Sequence, residues 1–375
     1  MPVIDSDQHL YESRSTWLDH IDPAHRADAL TLEDDDLGYA WLTWRGEPLE
    51  LADVHHPGDT RSCGRHRERL RAGEPSSYDY DEALPREYWD PAARASWLDG
   101  AGLDAAVCFP NFGLIWERRL SHDVQAMLAN MAAWNRWCRT VVDEGRGRLH
   151  PVLHVSLRDA DWLERELADA SAHGIRQAMD APAPVDGRPL SHPDHDRIWS
   201  AFVEHGVTPV FHVADQPRVL DDCWYTEPDS FVPVIESTFL WVPAALATTD
   251  LIVNGTLARH PDLRIGIVEL SSIWVPQHLL MLDGAYDFTR RLNGRPIVEL
   301  ERRPSDYFLE HVRVSSFSYE DPARLQHQAG DVFMACSDFP HSEGTADPVG
   351  DYARAGLEPS TAPGLFEGNV STLLG

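Results

Sequence analysis

Cysteine is sparse in this chain: five residues among 375, an odd number, at Cys63, Cys108, Cys138, Cys223 and Cys336. With no Cys-x-x-Cys pair, neither a disulfide framework nor a thiolate zinc site is expected. Cys108 and Cys336 sit inside apolar runs and read as small core residues. Basic residues are scarce too. Lys+Arg total 32 against 61 Asp+Glu, a formal charge of −29. Such a field repels phosphate backbones and anionic membranes, so neither nucleic acid nor a membrane surface is an expected partner. No apolar run approaches the length of a membrane span. The opening Met1-Pro2-Val3-Ile4-Asp5 lacks the basic region and apolar stretch of a signal peptide. A cytoplasmic protein is expected, without internal repeats or low-complexity segments.

What the chain has in quantity is short apolar runs alternating with helical patterns. Eight runs read as strands: Val3–Asp7, Ala105–Pro110, Leu149–Val155, Ile175–Met179, Thr208–Val213, Arg264–Glu269, Val312–Phe317 and Val332–Ser337. Their continuous apolar character is that of strands covered on both faces. Helical patterns lie between them, over Pro91–Ala101, Ser121–Glu144, Asp159–His173, Asp194–His205, Phe239–His260, Trp274–Leu292 and Asp321–Ala329. The alternation predicts an α/β chain, one (β/α)8 TIM barrel spanning residues 1–375. Its excess length falls after strand one, where an insertion at about residues 20–95 reads as a small hairpin followed by a lid or dimer arm. A second irregular stretch, Ala214–Pro233, could also cover the site.

Four residues at strand ends carry the chemistry. Asp7 and His9 close the first run, His212 the fifth and Asp338 the eighth. In a TIM barrel the carboxyl ends of the strands form the active face. Asp7 and His9, two apart on an extended segment, can face the same side. Two imidazoles and two carboxylates suit one divalent ion, Zn²⁺ or Mn²⁺, with Fe²⁺ also compatible. Burying Asp338 inside an apolar run without a cation would be costly. Glu269, at the end of strand six, has three readings: general base, additional ligand, or a carboxylate that holds His212 or His341.

Three segments resemble the amidohydrolase-related (amidohydrolase 2) family that includes aminocarboxymuconate-semialdehyde decarboxylase and γ-resorcylate decarboxylase. They are Ile4-Asp5-Ser6-Asp7-Gln8-His9-Leu10-Tyr11-Glu12, the Gly255–Arg264 segment with Glu269-Leu270 and Trp274-Val275-Pro276, and Ser337-Asp338-Phe339-Pro340-His341-Ser342-Glu343-Gly344. The resemblance implies a metal held by Asp7, His9, His212 and Asp338, with Asp338 also moving a proton, and a homodimer. Two departures stand out. Many members have His-x-His or Glu-x-His where this chain has Asp7-Gln8-His9, and the characterised decarboxylases have a catalytic His where this chain has Glu269.

Remaining candidates carry two readings each. His341 either donates to substrate or caps a turn. Tyr11 and Trp274 either line an aromatic-friendly pocket or pack in the core. Arg176 either contacts an anionic substrate group or pairs with Asp180. The expected activity is metal-dependent hydrolysis of a small substrate bearing a carbonyl or carboxylate, with Asp338, Glu269 and His341 as catalytic groups. Non-oxidative decarboxylation (a lyase) and hydration are alternatives, since fold does not fix reaction. A degenerate barrel kept as a binding scaffold is the non-enzymatic alternative.

Overall fold

The computed structural model describes residues 2–59, 62–214, 218–224, 233–296 and 298–375. All eight expected strands are present: β1 (Ile4–Leu10), β5 (Ala105–Pro110), β6 (Leu149–His154), β7 (Gln177–Asp180), β8 (Thr208–His212), β9 (Ile265–Val268), β10 (Val312–Ser316) and β11 (Phe333–Ala335). They pair in parallel in that order. The sheet closes on itself through the chain after β11. Asp338 N donates to Asp7 O at 2.9 Å, and His9 N donates to Phe339 O at 2.7 Å. The fold is a (β/α)8 barrel.

Helices follow the strands on the outside: α1 (Pro91–Ala101), α2 (Val124–Glu144), α3 (Ala160–Ala172), α4 (Asp196–His205), α5 (Val242–Val253), then α6 (Val275–Asn293) and α7 (Pro304–His311) both after β9, α8 (Pro322–Ala329) after β10, and a short helix over Pro348–Arg354 after β11. The side chain of Asp123 accepts from Ala126 N to cap α2, which buries Met127, Met131, Trp134, Cys138 and Val141 along one stripe. Gly206 in the left-handed region (φ 59°) ends α4 immediately before β8. The helix expected over Phe239–His260 instead breaks after α5, because Gly255 turns left-handed at φ 77° with the Val298 side chain against it. The α7 helix was not among the expected elements. None of the described helices is long and apolar enough to cross a membrane.

The barrel interior is a stack of Val107, Phe109, Val152, Met179, Val210, Val268 and Met334. Its amino-terminal end is plugged by the last helix, α9 (Asn369–Leu374), through Val370 and Leu373. Gly266 makes room for this plug: a Cβ there would lie 3.1–3.2 Å from Val210 and Leu373. Burying the two plug side chains is worth about 1.5–3 kcal/mol each. The opposite rim is left to polar residues.

Between β1 and α1 lies a three-stranded antiparallel sheet, β2 (Leu30–Asp34), β3 (Ala40–Trp44) and β4 (Glu47–Leu51), followed by a helix over Ser62–Arg71. The third strand was missed in the sequence because its turn is only Arg45-Gly46, with φ of 51° and 78°. Most of the Ala214–Pro233 stretch lies outside the described residues.

Two buried charged groups fasten the closure. Arg94 of α1 donates to Gln8 Oε1 (3.0 Å), His9 O (2.8 Å) and Glu87 O (2.7 Å), and lies over the Phe339 ring. Asp5 accepts from Asp7 N (3.1 Å), Gln8 Nε2 (2.8 Å) and Ser337 N (3.0 Å), so it ties β1 to the segment after β11. Burial outweighs these donors and raises the Asp5 carboxyl from 3.8 to about 6. The folded chain therefore holds this proton more tightly than the unfolded one. The resulting stabilisation is complete below about pH 4 and is lost as pH rises through about 6. Urea unfolding should show that Asp5→Asn narrows the stability difference between pH 4 and pH 7. Asp5→Ala, which removes every acceptor, should cost about 2–4 kcal/mol. An unchanged pH dependence in Asp5→Asn would reject this assignment.

Candidate metal centre

Four strand ends bring their side chains to one point on the rim. His9 Nε2 lies 3.4 Å from Asp7 Oδ1, 3.3 Å from Asp338 Oδ1 and 3.7 Å from Glu269 Oε2. His212 Nε2 lies 3.5 Å from Asp7 Oδ1 and 3.3 Å from Glu269 Oε2. Asp7, His9, His212 and Asp338 are fully buried, and the Glu269 side chain is 14% exposed. The structure thus brings together the four ligand candidates named from the sequence, with Glu269, read there as a base or an additional ligand, beside them.

Hydrogen bonding at the far side of each imidazole fixes which nitrogen faces the centre. His9 Nδ1 is 3.2 Å from Pro110 O, and His212 Nδ1 is 2.8 Å from Val213 O. Carbonyls only accept, so each Nδ1 carries hydrogen, and in its neutral form each ring turns the lone pair of Nε2 inward. Without an ion, burial opposes charge on His9, but Asp338, Asp7 and Glu269 outweigh it and raise its pKa well above the usual histidine value. Among the described residues, six buried atoms converge here without a partner: both Asp7 oxygens, Asp338 Oδ2, Glu269 Oε2, and Nε2 of His9 and of His212. All six can donate a lone pair, as can Asp338 Oδ1, which lies against His341 Nδ1. Asp7, His9, His212 and Glu269 each offer a ligand atom within 4.8 Å of the others, as do His9, Glu269, Asp338 and His341. Such donors suit a divalent cation such as Mn²⁺, Zn²⁺ or Fe²⁺.

Two of the carboxylates are delivered by strained backbone. Glu269 and Asp338 both have φ of 57°, in the left-handed region that non-glycine residues seldom occupy. Ser315 Oγ accepts from Glu269 N at 3.0 Å. The following turn is clamped by buried Glu320, which accepts from Ser271 Oγ, Ser272 N, Ser272 Oγ and Phe317 N at 2.6–3.1 Å. Strain of this kind costs about 1–3 kcal/mol per residue and persists where the surroundings over-determine it.

The electrostatics separate the acids. Burial and the neighbouring Asp338 charge raise the Glu269 carboxyl from 4.5 to about 7. Burial opposes ionisation of Asp338 as well, but the charge and hydrogen bonding of His341 outweigh it and hold that carboxyl well below its usual range. His341 Nδ1 lies 2.7 Å from Asp338 Oδ1, its Nε2 is 3.0 Å from Asn111 Oδ1, and its ring stacks on His9 at 4.0 Å. Burial disfavours its charge, yet Asp338 raises its pKa above the usual histidine value.

Other sequence candidates fall elsewhere. Tyr11 is buried, and its hydroxyl accepts from His55 N at 2.8 Å, anchoring the insertion to the rim. His55 Nδ1 reaches Ser342 Oγ at 3.0 Å, and Gly58 N donates to Ser342 O at 3.1 Å. Trp274 sits before α6, stacked on Trp241, with Nε1 donating to Ser271 O at 2.8 Å. Arg176 precedes β7, and its carbonyl accepts from Thr208 N where β8 begins. That places it at the amino end of the barrel, away from the rim, with Nη1 3.4 Å from Ser171 Oγ and not on Asp180. Sequence reasoning missed Asn111, and it missed Glu12, a fully buried acid that accepts from Phe112 N (3.0 Å) and Gly113 N (3.1 Å) and so shapes the loop after β5. A polar residue directly after an apolar run was the only available signal for Asn111.

The strain and the like charge at Glu269 make a stability prediction. In chelator-treated protein Glu269→Asn, which tolerates the left-handed backbone and removes one buried acid, should raise the melting temperature by a few degrees. With Mn²⁺ added, the wild type should gain more stability than the variant. A variant less stable than wild type in chelator would contradict this account.

No family model matches the chain, and no curated protein matches it. Solved structures do. An amidohydrolase from Mycobacterium avium subsp. paratuberculosis superposes with a TM-score of 0.76 at 24% identity, over 100% of this chain and 99% of that one. A 5-carboxyvanillate decarboxylase from Novosphingobium aromaticivorans, solved with manganese and 3-methoxy-4-hydroxy-5-nitrobenzoic acid, gives 0.69 at 17% identity, over 100% and 97%. A dihydroxybenzoic acid decarboxylase from a Polaromonas species, solved with manganese and 2-nitroresorcinol, gives 0.65 at 14% identity, over 100% and 96%. At these identities the likeness establishes that the chain has the barrel fold of these proteins.

Proposed function

We propose that the chain is a metal-dependent carboxy-lyase of the amidohydrolase-related kind, removing CO₂ from a small carboxylate that also bears a hydroxyl or oxo group. The convergence of six unpartnered, lone-pair-bearing buried atoms on one point of the rim carries this reading. Asp7, His9 and His212 would hold the ion, with Asp338 and Glu269 completing its surroundings. The ion would act as a Lewis acid toward substrate oxygens. A carboxylate-rich donor set with two imidazoles suits Mn²⁺, and Zn²⁺ and Fe²⁺ remain compatible.

Decarboxylation leaves the electron pair of the broken C–C bond on carbon, where one proton must arrive. Glu269, whose carboxyl is raised to about 7 in the ion-free site, is the donor this reading assigns. Asp338 stays ionised, paired with His341 2.7 Å away. The chain contains no lysine, so Schiff-base decarboxylation has no nucleophile here. The insertion, docked on the rim through His55 and Gly58, is read as a lid. A homodimer would cover Leu280, Met281, Phe288 and Leu292, exposed along α6. Metal-dependent hydrolysis is the second reading, favoured by Glu269, whose carboxyl near 7 could equally serve as a base toward water.

Elemental analysis should find about one Mn or Zn per chain, lost in Asp7→Ala and in His212→Ala. The metal-loaded protein should release CO₂ from 2,6-dihydroxybenzoate, from 5-carboxyvanillate or from a related hydroxybenzoate. Glu269→Gln should lower kcat by about 10²–10⁴. His341→Asn should keep the metal and lose about tenfold or more in kcat. Acid release from esters or amides without CO₂ would select the hydrolase. A chain that takes up no divalent metal would remove both readings.

A further inference from the structure

The rim carries a second group of titratable side chains that the metal centre does not use. Three consecutive strands each end in one: His154 closes β6, Asp180 closes β7 and His212 closes β8. His212 belongs to the metal centre. His154 and Asp180 do not, yet they are 1% and 7% exposed. Val152, two residues before His154, lies in the barrel-interior stack, so strand alternation turns His154 to the same interior side. Its ring stands edge-on to Trp116 at 5.0 Å.

The hydrogen bonding of this group is unfinished. His154 Nε2 lies 3.4 Å from Glu117 Oε2, the only side of the ring with a partner among the described residues. Donating there leaves Nδ1 as a bare acceptor, and Nδ1 is unpartnered. It looks toward Gly113, where even a Cβ would come within 3.4 Å. Asp180 Oδ2 is likewise buried without a partner. Leaving such groups unsatisfied is costly, so both call for a partner that the described residues do not supply.

The chemistry of the missing partner follows from the sign of its surroundings. His154 Nδ1 needs a donor. Glu117 lies on the other nitrogen of the ring, 3.4 Å from Nε2, and Asp180 ends the neighbouring strand β7, where burial together with the Glu117 charge favours the neutral acid. Arg158, whose charge acts on Asp180, is already bonded to Asp186 at 3.2 Å and to Ser121 O at 3.1 Å. A carboxylate or phosphate would meet repulsion here; a hydroxyl or a neutral N–H would not.

We propose that His154, with Glu117 and Asp180, forms a specificity subsite that accepts a neutral hydrogen-bond donor, typically a hydroxyl, from the part of the substrate remote from the metal. This rests on the carboxy-lyase reading for what holds the other end of the substrate. It assigns the substrate class more narrowly: an acid whose carboxylate and adjacent oxygen sit at the metal, and whose far side carries a hydroxyl rather than a methyl or a second anion. His154 recognises this group and takes no part in bond breaking.

The test is calorimetric binding to Mn²⁺-loaded protein, with metal content measured on the same samples. Probes are salicylate, 2,4- and 2,5-dihydroxybenzoate, 4- and 5-methylsalicylate, and 4-hydroxyisophthalate. One dihydroxybenzoate should bind at least about tenfold more tightly than its methyl counterpart, since a pocket built around a polar partner rejects analogues that lack it. His154→Leu should erase that preference while leaving salicylate binding and metal content in place. Glu117→Gln, at a side chain 19% exposed and therefore safe for folding, should relieve the penalty on 4-hydroxyisophthalate. Equal binding of hydroxyl and methyl probes, binding of none of them, or a preference that survives His154→Leu would overturn the subsite with the metal centre intact. Loss of metal from the wild type would instead overturn the functional reading on which it rests.

Discussion

Three carboxylates and two imidazoles crowd into one water-poor end of a barrel, and of the protein's donors only His341 reaches them, at Asp338. Bringing like charges to such a place is costly unless something compensates, because the low dielectric strengthens their repulsion as much as any attraction. Protonation offers partial relief, visible in the raised Glu269 carboxyl. A divalent cation offers more, since it satisfies the inward lone pairs of His9, His212, Asp7 and Asp338 together. The closure of the barrel, the backbone at the strand ends and the tautomers of both imidazoles are all arranged around that demand.

The closure is where fold and site become one structure. Asp7 and Asp338 are joined by a backbone hydrogen bond that also completes the sheet, so the two ligands cannot separate without opening the barrel. Asp5 and Arg94 reinforce the seam from below, holding the backbone of Asp7 and of His9. Left-handed backbone at Glu269 and Asp338 redirects side chains that an ordinary strand exit would aim elsewhere. Glu320 holds one of those turns through four donors, which places its contribution in the geometry of Glu269 and not in chemistry.

Around this core the rim divides by polarity. One sector, formed by β1, β8, β9 and the segment after β11, gathers lone pairs for a cation. The neighbouring sector at the ends of β6 and β7 presents His154 and Asp180, each with one unpartnered atom, and Glu117 against the His154 ring. The insertion leans on the first sector through His55 and Ser342, with Tyr11 as its anchor. A small molecule bridging the sectors would be read at both ends, which is how a barrel rim turns a general metal centre into a selective one.

The sequence by itself determined the eight strands, their alternation with helices and the four strand-end residues that meet at the rim, because buried parallel strands leave uninterrupted apolar runs and a polar residue closing such a run is conspicuous. Asp7, His9, His212 and Asp338 were legible for that reason. Glu269 was visible as a strand-end acid, but its distance to two imidazoles was not. Tertiary structure decided the rest. Arg176 looked like a rim residue until the register of β7 against β8 put it at the opposite end, and Tyr11 looked like a pocket wall until its hydroxyl was found holding His55. Asn111, Glu320 and His154 lie apart in the chain, and their partners are set by closure of the sheet and by turns whose φ values no residue pattern announces. Local composition records which residues are buried; only the closed barrel says which buried polar atoms meet.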